Sequence, residues 1–206
     1  MYRFALTPFL FFAVVASTFA CDLEIHFSPR GGSTDESPQG NKKHANVKKQ
    51  TCTDVIVKEI EQARSTIIVE AYKFNSPRIA NAMLAAARGK FHVTVSVILD
   101  NKGYNQNFWV KLLQPGDKIE FEIDHLHTNH NKLIVIDSKV VLTGSFNLTT
   151  QAETYAENLL VIRREAIAAQ YKTDWDVHWK HSQPKIFPLA PPPTPKIVPP
   201  PPNKTP

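Results

Sequence analysis

The chain has 206 residues, a formal net charge of +5, 42% hydrophobic residues and 21% charged residues. This balance excludes a disordered, collagenous or polytopic membrane protein. The small positive excess permits an anionic partner without requiring one.

The two ends differ from the middle. Residues 1–20 carry one charged side chain, Arg3, and Phe4 to Ala16 is almost wholly apolar. Thr18-Phe19-Ala20 then places small residues at the −3 and −1 positions of a cleavage site, the layout of a secretory signal peptide. The expectation is export, to the periplasm or beyond. An uncleaved anchor is disfavoured by Pro8 in a stretch at the short limit for a span. A lipidated Cys21 is disfavoured by the bulk of Phe19. In an oxidising compartment Cys21 and Cys52 would form a disulfide around residues 22–51, and two unpaired thiols are the alternative. Such a closure is worth about 3–4 kcal/mol. Residues 184–206 hold 11 of the 16 prolines and read as an extended, disordered tail with an unknown partner, if any. Setting the ends aside leaves residues 21–183, enough for one core and too few for two ordinary domains.

Within that span strand and helix patterns alternate. Leu23 to Phe27 reads as a strand, and Ser28 to Gln50 as a long polar loop. Asp54 to Arg64 spaces Val55, Ile56, Ile60 and Ala63 as an amphipathic helix, and Thr66 to Phe74 is a buried strand. Ser76-Pro77 opens a helix that runs to Arg88 before Gly89. A strand over His92–Leu99, a short helix over Gln106–Leu113 and a strand over Lys118–Ile123 follow. Asn131–Asp137 and Val140–Ser145 form a hairpin turning at Ser138-Lys139, then come a strand over Glu157–Arg163 and a helix over Glu165–Trp179. The order predicts one α/β domain, a mixed sheet flanked by helices.

The chemistry concentrates in His130-Asn131-Lys132 through Asp137, followed by Gly144-Ser145-Phe146-Asn147. On a strand His130 and Lys132 share a face, while Leu133 and Val135 take one side and Ile134 and Ile136 the other. A histidine and a lysine at the mouth of a strand buried on both sides are costly unless they have partners or a task. Asp137 meets the turn, where it would fix the hairpin. The return strand brings Gly144, Ser145 and Asn147 beside His130, so an imidazole, an ammonium, a hydroxyl and a carboxamide would converge on one anion.

The pattern H-x-K-x4-D-x6-G-S-x-N resembles the signature of the phospholipase D superfamily. Six fixed positions arise by chance in such a chain with odds on the order of one in a million. Phe27-Ser28-Pro29, Ala71-Tyr72-Lys73-Phe74 and Glu157-Asn158 resemble landmarks of its small, exported bacterial endonuclease branch. Two departures stand out, an insertion at residues 33–50 and the proline tail. The resemblance implies a catalytic set of His130, Lys132, Asp137 and Glu157, with Lys132, Ser145 and Asn147 on the phosphate. His130 would attack phosphorus, and Glu157 would hold its other ring nitrogen. No metal and no cofactor are implied. One motif copy per chain implies a homodimer that shares one site across its axis. The expected substrate is DNA or RNA, with membrane phospholipid, a metal-dependent site and a non-catalytic binding module as alternatives.

Other residues have plainer readings. His125, His127 and His130 lack a fourth metal donor nearby and sit beside a repelling Lys132. Lys73 either leans toward substrate or is a solvated strand-end lysine. Lys42, Lys43, Lys48 and Lys49 read as solvated surface or as a grip on a nucleic-acid backbone. Tyr171, Trp175 and Trp179 recur as a helix stripe, read as core or dimer contact.

Overall fold

The computed structural model describes residues 23–29 and 50–188. The signal segment, Cys21, the loop at 33–49 and residues 189–206 therefore lie outside the described residues. Among those described, no helix is long and apolar enough to cross a membrane.

The strands are β1 (Leu23–Ser28), β2 (Thr66–Ala71), β3 (Thr94–Asp100), β4 (Ile119–Asp124), β5 (Lys132–Ile136), β6 (Val140–Gly144), β7 (Glu157–Ile162) and β8 (Gln183–Pro184). They form one sheet in the order β1-β7-β6-β5-β2-β3-β4-β8. The β2-β3-β4 block is parallel, and β5, β6, β7 and β1 continue it antiparallel. Helices α1 (Cys52–Glu61), α2 (Pro77–Arg88), α3 (Gln106–Leu112) and α4 (Glu165–His181) complete the fold. The mixed sheet flanked by helices is as expected.

The two sides of β5 face different layers. Ile134 and Ile136 join the main core with Ile56 and Ile60 of α1, Ile79 and Met83 of α2, and Trp109 of α3. Leu133 and Val135 pack with Ala168, Ile167 and Tyr171 of α4 on the opposite side. A strand covered on both faces has no solvated edge of side chains, which is why the run from Leu133 to Ile136 is unbroken in apolar character. Trp175 of the aromatic stripe is core: its indole N–H donates to Val69 O at 3.0 Å, and its ring stacks on Trp179 at 4.7 Å.

Two element boundaries differ from the periodicity. Helix α1 starts at Cys52 because Thr51 and Asp54 form a reciprocal capping box, Thr51 N to Asp54 Oδ2 and Asp54 N to Thr51 Oγ1, both 2.9 Å. The start of the expected tail also belongs to the domain. Residues 183–184 pair with β4, Lys185 N donates to Phe121 O at 2.7 Å, and Phe187 is buried against Phe121 at 5.0 Å. An edge-to-face chain then runs from Phe187 through Phe121 and Trp109 to Phe74. Proline density concealed this, because Pro184 needs no donor at a sheet edge and the apolar anchor lies three residues further on.

Asp137 locks the hairpin to the start of β2. Its carboxylate accepts from Arg64 N, Ser65 N, Ser65 Oγ and Thr66 N at 2.8–3.0 Å. Burial alone would raise its pKa, but these donors outweigh it and hold the group below its ordinary value. Its stabilisation is therefore complete above the ordinary carboxylate pKa and lost as pH falls through the lowered one. Asp137→Asn should cost about 2 kcal/mol in urea unfolding at neutral pH. The gap from wild type should shrink in acid, below about pH 4; a gap independent of pH would contradict this assignment. Phe187→Ala should destabilise by about 3 kcal/mol, whereas a chain ending at residue 188 should unfold like the full-length chain.

Candidate active site

The site forms where the ends of β2 and β6, the start of β7 and the loop before β5 meet. Asn131 O accepts from Tyr72 N at 3.0 Å, which ties that loop to the end of β2. His130 is exposed and its ring lies 4.6 Å from the Tyr72 ring. Lys132, in contrast, is buried. Its Nζ stands 3.1 Å from His130 Nδ1, donates to His130 O, and lies 5.2 Å from the Tyr72 ring centroid. The adjacent Lys73 is exposed, 5.3 Å from the same ring on which Lys132 rests.

Burial lowers the Lys132 pKa, the Glu157 carboxylate raises it, and the Lys73 charge lowers it; the net direction is down. Lys132 is thus a desolvated cation, the state in which an ammonium interacts most strongly with an incoming anion. As an ammonium it can only donate to His130 Nδ1, so the ring proton of neutral His130 sits on Nε2. In that tautomer Nε2 carries the proton and has no lone pair free for attack. For Nε2 to attack, Lys132 must turn to the phosphate and Nδ1 must take the proton.

In the described structure Lys132 stands at His130 Nδ1, and the Glu157 carboxylate acts on the Lys132 charge. A carboxylate at this position remains able to receive Nδ1–H once Lys132 has moved. Asp137 stands at the far end of β5 from His130, so it supports the hairpin and touches no part of this group.

Gly144, Ser145 and Asn158 build the opposite wall. Ser145 N and Phe146 N donate to Asn158 O, and Ser145 Oγ accepts from Asn158 N at 3.0 Å. Gly144 has φ of 141°, and a Cβ there would stand 2.4 Å from Asn158 O. Only glycine allows this approach. The Ser145 hydroxyl keeps its proton for a substrate oxygen. Asn147 Oδ1 is buried without a hydrogen-bond partner, so its carboxamide is available to a bound group.

Beneath the loop, Glu70, Asp100 and Asp124 are buried at the carboxyl ends of β2, β3 and β4. Asn129 bridges two of them, donating N–H to Asp100 Oδ2 at 2.9 Å and Nδ2–H to Glu70 Oε1 at 2.6 Å. Asp124 Oδ1 accepts from Leu126 N at 3.0 Å. Burial raises the Asp124 pKa, while the His178 ring, the Leu126 amide, the His181 ring and the His127 amide together hold it low. Sequence reading missed these supports. Acids at strand ends look like ordinary solubilising termini until the strands are placed side by side. Tyr72 was seen as a landmark without a role; its place two residues after Glu70 was the available signal.

His125 and His127 are exposed on the loop, and the metal-type grouping among the described residues is Asp124, His178 and His181. Cys52 is fully buried and has no disulfide partner among the described residues; burial and the nearby Glu153 and Glu157 charges push its thiol up to about 12. Its expected partner Cys21 lies outside the described residues.

Residues 56–179 match the family model described as "Cardiolipin synthase, PLD-like domain". With more than half of its length matched, the chain belongs to the phospholipase D-like family. A phospholipase D of Rickettsia conorii is 36% identical over 127 residues, 60% of this chain and 62% of that one. The Rickettsia bellii phospholipase D is 39% identical with the same coverage. The chain thus spans less than two thirds of these relatives. Among solved structures, the phospholipase D family member Nuc from Salmonella typhimurium superposes with a TM-score of 0.62 at 24% identity, over 79% of this chain and 97% of that one. NucT from Helicobacter pylori gives 0.55 at 20%, over 64% and 89%. Both likenesses are of fold.

The opposed influences on Lys132 can be read directly by NMR of lysine labelled with 13C at Cε. Its titration midpoint should fall below the ordinary lysine value of about 10.4. Lys73→Met should raise that midpoint, and Glu157→Gln should lower it further. An unmoved midpoint in both variants would refute the electrostatic picture.

Proposed function

We propose that the chain is an exported phosphodiester hydrolase that cleaves nucleic acid through a phosphohistidine, in a site shared by two copies of the chain. The carrying observation is the exposed His130 ring flanked by Tyr72, with the buried Lys132 ammonium 3.1 Å from its Nδ1. A nucleophile open to solvent suits a polymer that must lie across the site, and the exposed Lys73 offers a second cation for its backbone.

In the first step Lys132 turns to a nonbridging oxygen, with Ser145 and Asn147 on the others. His130 Nε2 attacks phosphorus, the N–P bond forms and the P–O bond to the leaving oxygen breaks. In-line displacement puts that oxygen on the far side, where the partner subunit's His130, as an imidazolium, donates its Nε2 proton and becomes neutral. That histidine then takes a proton from water as the water oxygen displaces His130 and the N–P bond breaks. Each chain holds one H-x-K-x4-D motif, so the two roles need two copies. Glu157, whose charge acts on Lys132, would accept Nδ1–H in the attacking copy. The free energy of the fixed cation lies in preorganisation, and loss of one such donor typically costs a factor of about 10²–10³ in rate.

A phospholipid substrate is the second reading. It is favoured by the Rickettsia relatives' name and by exposed Leu126 and Tyr155, which flank His130 and Glu157 in the chain.

The test is incubation of the full chain, without its signal segment, with plasmid DNA and with phosphatidylcholine vesicles, each in excess EDTA. Nicking should persist in the chelator and disappear in His130→Ala, with Lys132→Ala slower by about 10²-fold or more. Choline release without nicking would replace the first reading by the second. Full activity in a species that sediments as a monomer would reject the shared site.

A further inference from the structure

The last turn of α4 carries His178 and His181, three residues apart and therefore on one face. Both reach Asp124, at the end of β4. His178 Nδ1 is 3.0 Å from Asp124 Oδ2, and His181 Nε2 is 3.3 Å from Asp124 Oδ1. The three donor atoms lie within 4.8 Å of one another. Tetrahedral zinc, with bonds of about 2.0–2.1 Å to nitrogen and oxygen, sets its ligand atoms roughly 3.3 Å apart. Each imidazole nitrogen already stands about that far from an Asp124 oxygen, at 3.0 and 3.3 Å, and the whole set fits within 4.8 Å.

Hydrogen bonding alone does not account for the group. His181 Nε2 is buried and has no hydrogen-bond partner despite its closeness to Asp124. Glu70 adds an independent sign. It is wholly buried, its Oε1 lies 3.7 Å from His178 Nδ1, and its Oε2 has no partner. Glu70 and Asp124 thus bring two carboxylates to one pair of imidazoles, away from water. Asn129 Nδ2 satisfies one Glu70 oxygen, and the Leu126 and His127 amides face Asp124 Oδ1. A divalent cation would balance the remaining charge and align the orphaned nitrogen with a bond.

We propose that Asp124, His178 and His181 bind one zinc ion that fastens the end of α4 to the floor of the His130 loop. His127, whose ring centroid is 6.4 Å from that of His181, is near enough to supply a fourth donor after a side-chain rotation. Two imidazoles and a carboxylate suit zinc, and zinc outcompetes manganese and iron on such nitrogen-rich sets. The ion is structural. Asp124 lies on the α4 side of the sheet, whereas Lys132 shares the opposite side with Ile134 and Ile136. The ion therefore takes no part in the bonds made and broken at phosphorus, and the proposal stands or falls separately from the substrate.

The experiment strips the full chain with chelator at neutral pH, then titrates it with zinc alone by calorimetry and thermal unfolding. One zinc per chain should bind and the Tm should rise by several degrees. Cobalt in its place should give the visible absorption of a tetrahedral site. His181→Gln and, separately, His178→Gln should each weaken zinc binding by tenfold or more, with unchanged helix content. His125→Gln should bind as wild type does, which excludes His125 as a ligand. His181→Gln is the milder variant, because its contact with Asp124 is the longer, 3.3 Å against 3.0 Å for His178. Stoichiometric binding that survives both α4 substitutions would overturn the proposal, and so would zinc that neither binds nor shifts the Tm.

Discussion

Three buried carboxylates at adjacent strand ends hold the loop on which everything functional depends. Glu70, Asp100 and Asp124 are each almost wholly inaccessible. Unpaired, such charges would be prohibitively costly, so the chain around them must supply donors. It does so with the segment from Leu126 to Asn131: the Leu126, His127 and Asn129 amides and the Asn129 carboxamide all bond to this set. The loop adopts its course because the floor demands it. His130 is consequently presented at the carboxyl edge of a parallel block, where strand ends leave a crevice.

A second buried charge faces the other way. Lys132 begins β5 with its stem among the core residues and its ammonium at the rim. Its desolvation opposes folding, and Glu157 only partly compensates. A bound phosphate diester would supply the missing counter-charge. Asn147 Oδ1 is also buried without a partner, but as an acceptor it would need a donor, so only the Asn147 Nδ2 could meet a phosphate oxygen. Several polar groups of this region are left incompletely satisfied, the usual sign that stability has been given up for binding.

Support comes from residues that never meet the anion. Asp137 holds the far end of β5 through four donors, and Gly144 lets Asn158 approach, so that the Asn158 carbonyl binds the Ser145 and Phe146 amides. The motif therefore mixes chemistry with carpentry. Trp175 and Phe187 anchor the two elements that follow it, one to β2 and one to β4.

Much of this was legible from the linear chain. The alternation of Leu133 to Ile136, the Ser76-Pro77 start and the Gly89 stop determined the elements, because hydrophobic period and backbone chemistry act locally. The H-x-K spacing placed two functional side chains on one face for the same reason. Tertiary structure alone decided the rest. Glu70, Asp100, Asp124, His178 and His181 are scattered over more than a hundred positions, and only the strand order and the return of α4 bring them together. It also decided that Lys132 stands at His130 Nδ1, a pairing that sequence spacing does not encode.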